Sequence, residues 1–361
     1  MLIHFSLTLF LCLLNLIPLS IPVRKNFILP LSFIMIGIFM GVRYNYGLDY
    51  WNYYDEFYNY QNYRPNESLF WLFFFSFEKY YQFILVKSLL LSAILLYIVR
   101  KYVPVQYYVL FIFFFMVNSS LIYSMITAER TCLGAMVLWC GLEFFYFRKK
   151  RYILLVGSII VASLFHTILL SMLIIPFFIL FFSSKRLHSS KTILLLLCIV
   201  LMLGMTLSSA LFEYLSNKIE DFSSYAYYAD ERFGNANIVG TLFKGLLLIP
   251  LYYIIQPLNK LSSNSIYFKM TILSLVYPFI YFVGLETDGR IGLITLPFFV
   301  ITMLQRASQL NSKLKILIMI SPFFLMTVYN NILLYMRMIK EPLLEGNYLI
   351  YQTIFDVGFF N

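Results

Sequence analysis

Residues 148–191 read RKKR-YILLVGSIIVASLFHTILLSMLIIPFFILFF-SSKRLHSSK, with 31 apolar-rich residues from Tyr152 to Phe182 between two basic clusters. The clusters are Arg148-Lys149-Lys150-Arg151 on one side and Lys185-Arg186 with Lys191 on the other. A membrane helix needs about 20 residues to cross roughly 30 Å of hydrocarbon. The run is therefore too long for one upright helix and short for two full ones. Lys and Arg gather on the cytoplasmic side of short membrane loops, so both ends belong on that side. The stretch then reads as two short helices that dip in and return, with Phe165-His166 near the turn. A single steeply tilted helix is the alternative.

The rest of the chain has the same solvent. Of 361 residues, 61% are hydrophobic and only 12% charged, with a mean hydropathy of +0.80. A soluble domain averages about 45–50% apolar and about 25% charged, so soluble, disordered and secreted classes are excluded. The net charge of +10 does not signal nucleic acid, because the basic residues sit between long apolar runs. Spans are expected near 2–21, 27–42, 80–99, 105–123, 128–147, 192–212, 238–257, 266–284, 290–304 and 315–336. The first lacks the basic start and small-residue exit of a signal peptide. The fold class is all-α: a polytopic helical membrane protein with about ten full spans plus a re-entrant or short helix pair, as one transmembrane domain over 1–361. Cys12, Cys132, Cys140 and Cys198 are scattered in apolar stretches and read as packing residues.

Sidedness tests the helix-pair reading. With the N-terminus outside, 16 of the 27 Lys and Arg fall at or near the cytoplasmic face, and 15 of the 17 acidic residues fall outside. Reading 152–182 as one span inverts everything after it and puts Lys313 and Lys315 outside.

The outer face then collects the polar segments 43–68, 124–130, 213–237 and 285–290 and the tail after Arg337. Within the first, Arg43-Tyr44-Asn45-Tyr46-Gly47-Leu48-Asp49-Tyr50-Trp51-Asn52-Tyr53-Tyr54 combines flat amphipathic rings with amides and a carboxylate. That set suits carbohydrate, the rings for sugar faces and the polar groups for hydroxyls. An interfacial aromatic belt is the alternative, and the Arg43/Asp49 pair around a glycine favours a site. Glu67 precedes a Phe-rich stretch over 68–79 that reads as an interfacial helix. It is set either to favour that helix's positive end or to meet a sugar.

Arg130 and Arg290 each open a span from the outer side. Ionisable residues there are costly to bury unpaired, and two guanidinium forks make a clamp for a diphosphate. Local balance between Glu129 and Arg130 is the duller reading of the first. His166, at the proposed turn, either takes a proton from a sugar hydroxyl, holds phosphate as a cation, or packs in the core. The sequence has no Walker loop, HExxH, GxSxG or metal-spaced His/Cys cluster, so no metal, cofactor or direct use of ATP is expected.

Arg43…Gly47-Leu48-Asp49-Tyr50…Tyr53, then Glu67, then Arg130 at a span start, then Ala162-Ser163-Leu164-Phe165-His166-Thr167, closed by Tyr348-Leu349-Ile350-Tyr351-Gln352-Thr353-Ile354-Phe355, resembles the EpsG-type polysaccharide polymerases. These are related in role to the Wzy O-antigen polymerases. Leu48, Thr131 and Ile168 depart from the family pattern. The resemblance implies a multi-pass enzyme of the bacterial inner membrane, similar to metal-independent glycosyltransferases of the GT-C kind. It would join undecaprenyl-diphosphate-linked oligosaccharide repeat units into O-antigen, capsule or exopolysaccharide at the outer face. On that reading Arg130, Arg290 and Arg43 stabilise the leaving diphosphate, His166 or Asp49 serves the acceptor hydroxyl, and Tyr50, Trp51, Tyr53 and Glu67 meet sugar. The partners are the lipid-linked glycans, the bilayer and a chain-length regulator. A flippase for the same glycans, or a membrane ligase or acyltransferase acting on them, is the alternative function.

Overall fold

The computed structural model describes residues 2–44, 46, 49–59, 65–148, 151–182, 192–201, 244–258, 261–262, 265–283, 290–340 and 352–353. Among these, every regular element is helical except one pair of two-residue strands. The chain divides into two compact units, Met1–Pro176 with Asn330–Asn361, and Phe177–Tyr329.

The first unit begins with α1 (Leu2–Leu16) and α2 (Ile21–Gly41), then β1 (Arg43–Tyr44). Two short helices follow, α3 (Tyr50–Asn59) and α4 (Ser68–Phe74), before the long α5 (Tyr80–Tyr102). Next come α6 (Tyr108–Val117), α7 (Ser119–Thr127) and α8 (Glu129–Gly141), the last extended by the wider turns of Leu142–Arg148. The unit closes on α9 (Tyr152–Ser163), a tight 3-10 stretch (Thr167–Leu173) and the start of α10 (Ile174–Phe182). α5 shows why these residues choose this form. Its 23 residues rise about 35 Å at 1.5 Å each, enough for the hydrocarbon core. Arg100 and Lys101 fill its last turn, where cations suit the helix's negative end, and Pro104 follows the stop.

Among the described residues, three helices are long and apolar enough to cross a membrane: Ile21–Gly41, Tyr80–Tyr102 and Lys313–Ile332. Val105–Val117 and Leu121–Thr127 add a fourth if the pair, bent by 55°, is one span. These fall on the expected spans at 27–42, 80–99, 315–336 and 105–123. Other apolar stretches form shorter helices, among them Ile3–Leu16, Thr192–Leu201, Lys244–Ile255 and Ile266–Phe282. Among the described residues, helix length and composition mark three or four crossings. The segments 213–237 and 285–289 and most of the tail lie outside the described residues.

At Leu164–His166 the helical course stops and His166 takes an extended backbone (φ −159°, ψ 120°). The 3-10 stretch then packs back along α9. Small residues let this hairpin approach α8. A Cβ on Gly134 would stand 2.8 Å from the Ala162 carbonyl oxygen and would overlap Leu169, so both arms of the turn press on one glycine. Gly134→Ala is expected to shift that turn and destabilise the protein by about 1–3 kcal/mol. Thermal unfolding in detergent measures this, and an unchanged midpoint refutes it.

Two breaks in the same region re-aim the chain. α6 ends at Asn118 (φ −73°, ψ 112°), and the orphan Val117 carbonyl accepts from Asn331 Nδ2 at 2.6 Å. α7 ends at Ala128 (φ −92°, ψ 72°). Its last carbonyls would lack partners, but Met125 O accepts from Lys87 Nζ at 3.1 Å and Ile126 O from Arg43 Nη1. Cations at a helix C-terminus also meet its negative end. Finally β1 pairs antiparallel with β2 (Gln352–Thr353), so the chain's closing motif meets its first polar motif.

The second unit contains α11 (Thr192–Leu201), α12 (Leu248–Ile255), α13 (Ile266–Ser274), α14 (Val276–Val283), α15 (Arg290–Gln309) and most of α16 (Lys313–Lys340). Arg306 on α15 caps the end of α12, donating from Nε to the Tyr253 carbonyl at 2.9 Å and from Nη2 to Gln256 Oε1 at 3.1 Å.

Candidate functional site

The break at Ala128 delivers two consecutive charges, Glu129 and Arg130, into the interior of the first unit, and each becomes the hub of a buried network. Arg130 donates from Nη1 to Glu67 Oε2 at 3.0 Å and from Nη2 to both oxygens of Glu56, at 2.9 and 2.8 Å. Its guanidinium lies against the rings of Tyr53, Phe70 and Trp71, 5.5, 5.1 and 5.2 Å from their centres. Stacked rings and paired carboxylates hold the planar fork in one orientation.

Glu67 is the keystone. Fully buried, it binds Arg130 through one oxygen and His166 through the other, with His166 Nδ1 at 2.7 Å from Oε1 and the Thr167 N–H donating to the same atom at 3.3 Å. Residues 67, 130 and 166 come from the lead-in to α4, the start of α8 and the turn after α9. A carboxylate facing Nδ1 makes that nitrogen the donor, which leaves the lone pair of a neutral ring on Nε2. Glu67 therefore fixes both the tautomer and the aim of His166.

Beside this network stands a second, formed by Arg43, Lys87 and Glu129. Glu129 is ion-paired to Arg43 through Nη2 and to Lys87 Nζ at 2.5 Å, and all three are essentially excluded from solvent. Arg43 and Lys87 also hold the last carbonyls of α7. Together the two networks set three cations against three carboxylates, with the His166 ring against Glu67. Both terminal nitrogens of Arg130 are engaged by carboxylates.

Several expected site residues have surroundings unlike a sugar-facing loop. Residues 50–59 form a helix, not a loop, and Tyr50 points inward at 2% exposure among Tyr44, Tyr54 and Tyr80. Tyr53 is half-buried against Arg130 and Phe70. Glu67 serves Arg130 and His166, and Arg43 faces Glu129 instead of an open cavity. For Glu67 and Arg43 the physical reason is that charges in a low-dielectric interior pair with one another; Tyr50 and Tyr53 bury their rings among other aromatic side chains. Trp51 stays at the surface, 39% exposed. Asp49 stands just before α3, its carbonyl accepting from the Tyr53 N–H at 3.0 Å. Arg290 opens α15 in the second unit, and its side chain lies outside what is described. Glu56 and Lys87 are the residues that sequence reasoning missed. A lone Lys inside an apolar span was the available signal for Lys87.

Burial pushes the Glu67 carboxyl up, but the hydrogen bond and charge of His166, the Arg130 guanidinium and the Thr167 N–H outweigh it and hold its pKa below the usual value. A depressed carboxylate contributes stability that is complete above its unfolded pKa, about 4.3, and is lost as pH falls through the folded one. The melting midpoint of the wild type should therefore exceed that of Glu67→Gln at neutral pH, and the gap should close below about pH 4.3. A gap that stays constant on acidification would count against this role for Glu67.

A model of the EpsG family matches residues 26–353, from within α2 to the end of β2. The chain belongs to the EpsG family. It is accordingly a membrane protein of the polysaccharide-polymerase type. No curated protein and no solved structure matches it. The matched region of this EpsG-family protein contains every member of both buried networks.

Proposed function

We propose that this EpsG-family protein joins oligosaccharide repeat units carried on undecaprenyl diphosphate, at the outer face of the bacterial inner membrane, by glycosyl transfer. In this reading the chain has about ten spans and a GT-C-like plan. The observation that carries the proposal is the Arg130–Glu67–His166 chain of contacts, which sets a proton acceptor and an anion-binding fork on the two oxygens of one carboxylate. In the step, an acceptor hydroxyl oxygen attacks the anomeric carbon of the donor glycan. Its proton passes to His166 Nε2. The bond from the anomeric carbon to the phosphate oxygen breaks, and the lipid diphosphate leaves with the electron pair. Arg130, its guanidinium held in one orientation by Glu67 and Glu56, stabilises that charge. Fixed donors aimed at developing charge cost no reorganisation in the transition state. Arg43, Lys87 and Glu129 hold the start of α8 in place, and Asp49 is the alternative partner of the acceptor.

Purified protein supplied with undecaprenyl-diphosphate-linked repeat units should produce a ladder of lengthened glycans. Labelled lipid that crosses the bilayer without lengthening would make the protein a flippase. Transfer only to a different acceptor would make it a ligase.

A further inference from the structure

α3 has two chemical faces. Glu56 and Phe57 are buried on one, where Glu56 reaches Arg130. The exposed positions are Trp51, Asn52, Asp55, Tyr58 and Asn59, which fall on one side of a helix of 3.6 residues per turn. Two large rings, Trp51 at 39% and Tyr58 at 43% exposure, are therefore interleaved with two amides and a carboxylate. The Trp51 ring is held in place edge-on by Tyr44, Tyr50 and Tyr54 at 5.7, 5.4 and 5.3 Å.

The chemistry of this face selects among occupants. A helix bound to an anionic lipid surface carries Lys and Arg on its polar side, whereas α3 has neither and presents Asp55. A protein interface centres on a desolvated apolar patch with few charges; here each ring is flanked by Asn or Asp. Sugars fit both requirements, since their C–H faces stack on flat rings while their hydroxyls donate to carboxylate and amide oxygens and accept from amide N–H groups.

We propose that the Trp51–Asn52–Asp55–Tyr58–Asn59 face binds the glycan of the lipid-linked substrate. This inference rests on the reading of the protein as a polymerase of such glycans. The same helix turns this face outward and Glu56, a partner of Arg130, inward.

The test uses the full-length protein in detergent and oligosaccharide fragments released by mild acid, without lipid, from the polymer of the organism that makes it. Trp71 and Trp139 are buried, so a surface ligand should act on Trp51 emission. A saturable change is expected, and it should be lost in Trp51→Phe. Equilibrium dialysis of tagged fragments should show affinity weakened about 2–10-fold by each of Asn52→Ala, Asp55→Ala and Tyr58→Ala, in variants that melt like the wild type. No saturable change in the wild type overturns the inference. So do stably folded variants that bind as the wild type does, or a Trp51 response to phosphatidylglycerol vesicles and not to sugar. A glycan ladder from protein that does not bind fragments defeats this inference alone; fragment binding without any ladder defeats the polymerase reading alone.

Discussion

His166→Ala should reduce glycan extension by about 10²–10⁴-fold, the usual contribution of a positioned proton acceptor, while the protein remains in the membrane fraction. The loss has two sources. The acceptor hydroxyl is deprived of the lone pair on Nε2, and Glu67 is deprived of the Nδ1–H that faces it at 2.7 Å. His166→Asn separates them, because its amide N–H sits where Nδ1–H does but brings no basic nitrogen. This variant should recover most of the wild-type melting temperature and none of the activity. Extension within about threefold of wild type in either variant would remove His166 from the chemistry, since even weak general-base catalysis exceeds that. Side-by-side ladders and membrane immunoblots provide both readings.

Arg130→Ala is expected to have the larger effect on stability. It leaves Glu56 and Glu67 buried without the cation that pairs with both, a change that costs about 3–5 kcal/mol in buried ion pairs. Arg130→Lys is the more informative variant for function. It keeps the charge but not the planar fork that meets two carboxylates at once, and extension should fall about 10²–10³-fold, as when one donor to a developing anion is removed. Arg130→Met with Glu56→Gln and Glu67→Gln removes all three charges together. It should melt close to the wild type yet make no polymer. Wild-type ladders from Arg130→Lys would show that the fork geometry has no part in stabilising the leaving group.

Much of this was legible in the residues. Composition alone identified lipid as the solvent. The 31-residue apolar run from Tyr152 to Phe182 was too long for one upright helix, and α9 and the 3-10 stretch part within it at Leu164–His166. Arg130 and His166 stood out because ionisable groups in apolar surroundings need a reason to be there. Other parts could not be read. Residues 50–59 are rich in Tyr, Asn and Asp, which favour helices weakly, so α3 resembled a loop; its aromatic packing on Phe70, Phe74 and Tyr80 makes it a helix. Glu56 looked like one more solvated acid in a polar segment. The breaks at Asn118 and Ala128 carry neither proline nor glycine, and are stabilised by Asn331, Lys87 and Arg43 from distant parts of the chain.

The sequence by itself determined the solvent of this protein, the positions of the apolar helices near 27–42, 80–99 and 315–336, and the short roster of charges that its helices must accommodate. These properties depend on composition and local periodicity, which each segment carries with it. Only the tertiary structure decided which carboxylate meets which cation. Glu56 and Glu67 reach Arg130 across 74 and 63 residues of chain, and His166 reaches Glu67 across 99. Coulomb attraction has no preference among acids of equal charge, so it is packing that chooses the pairs.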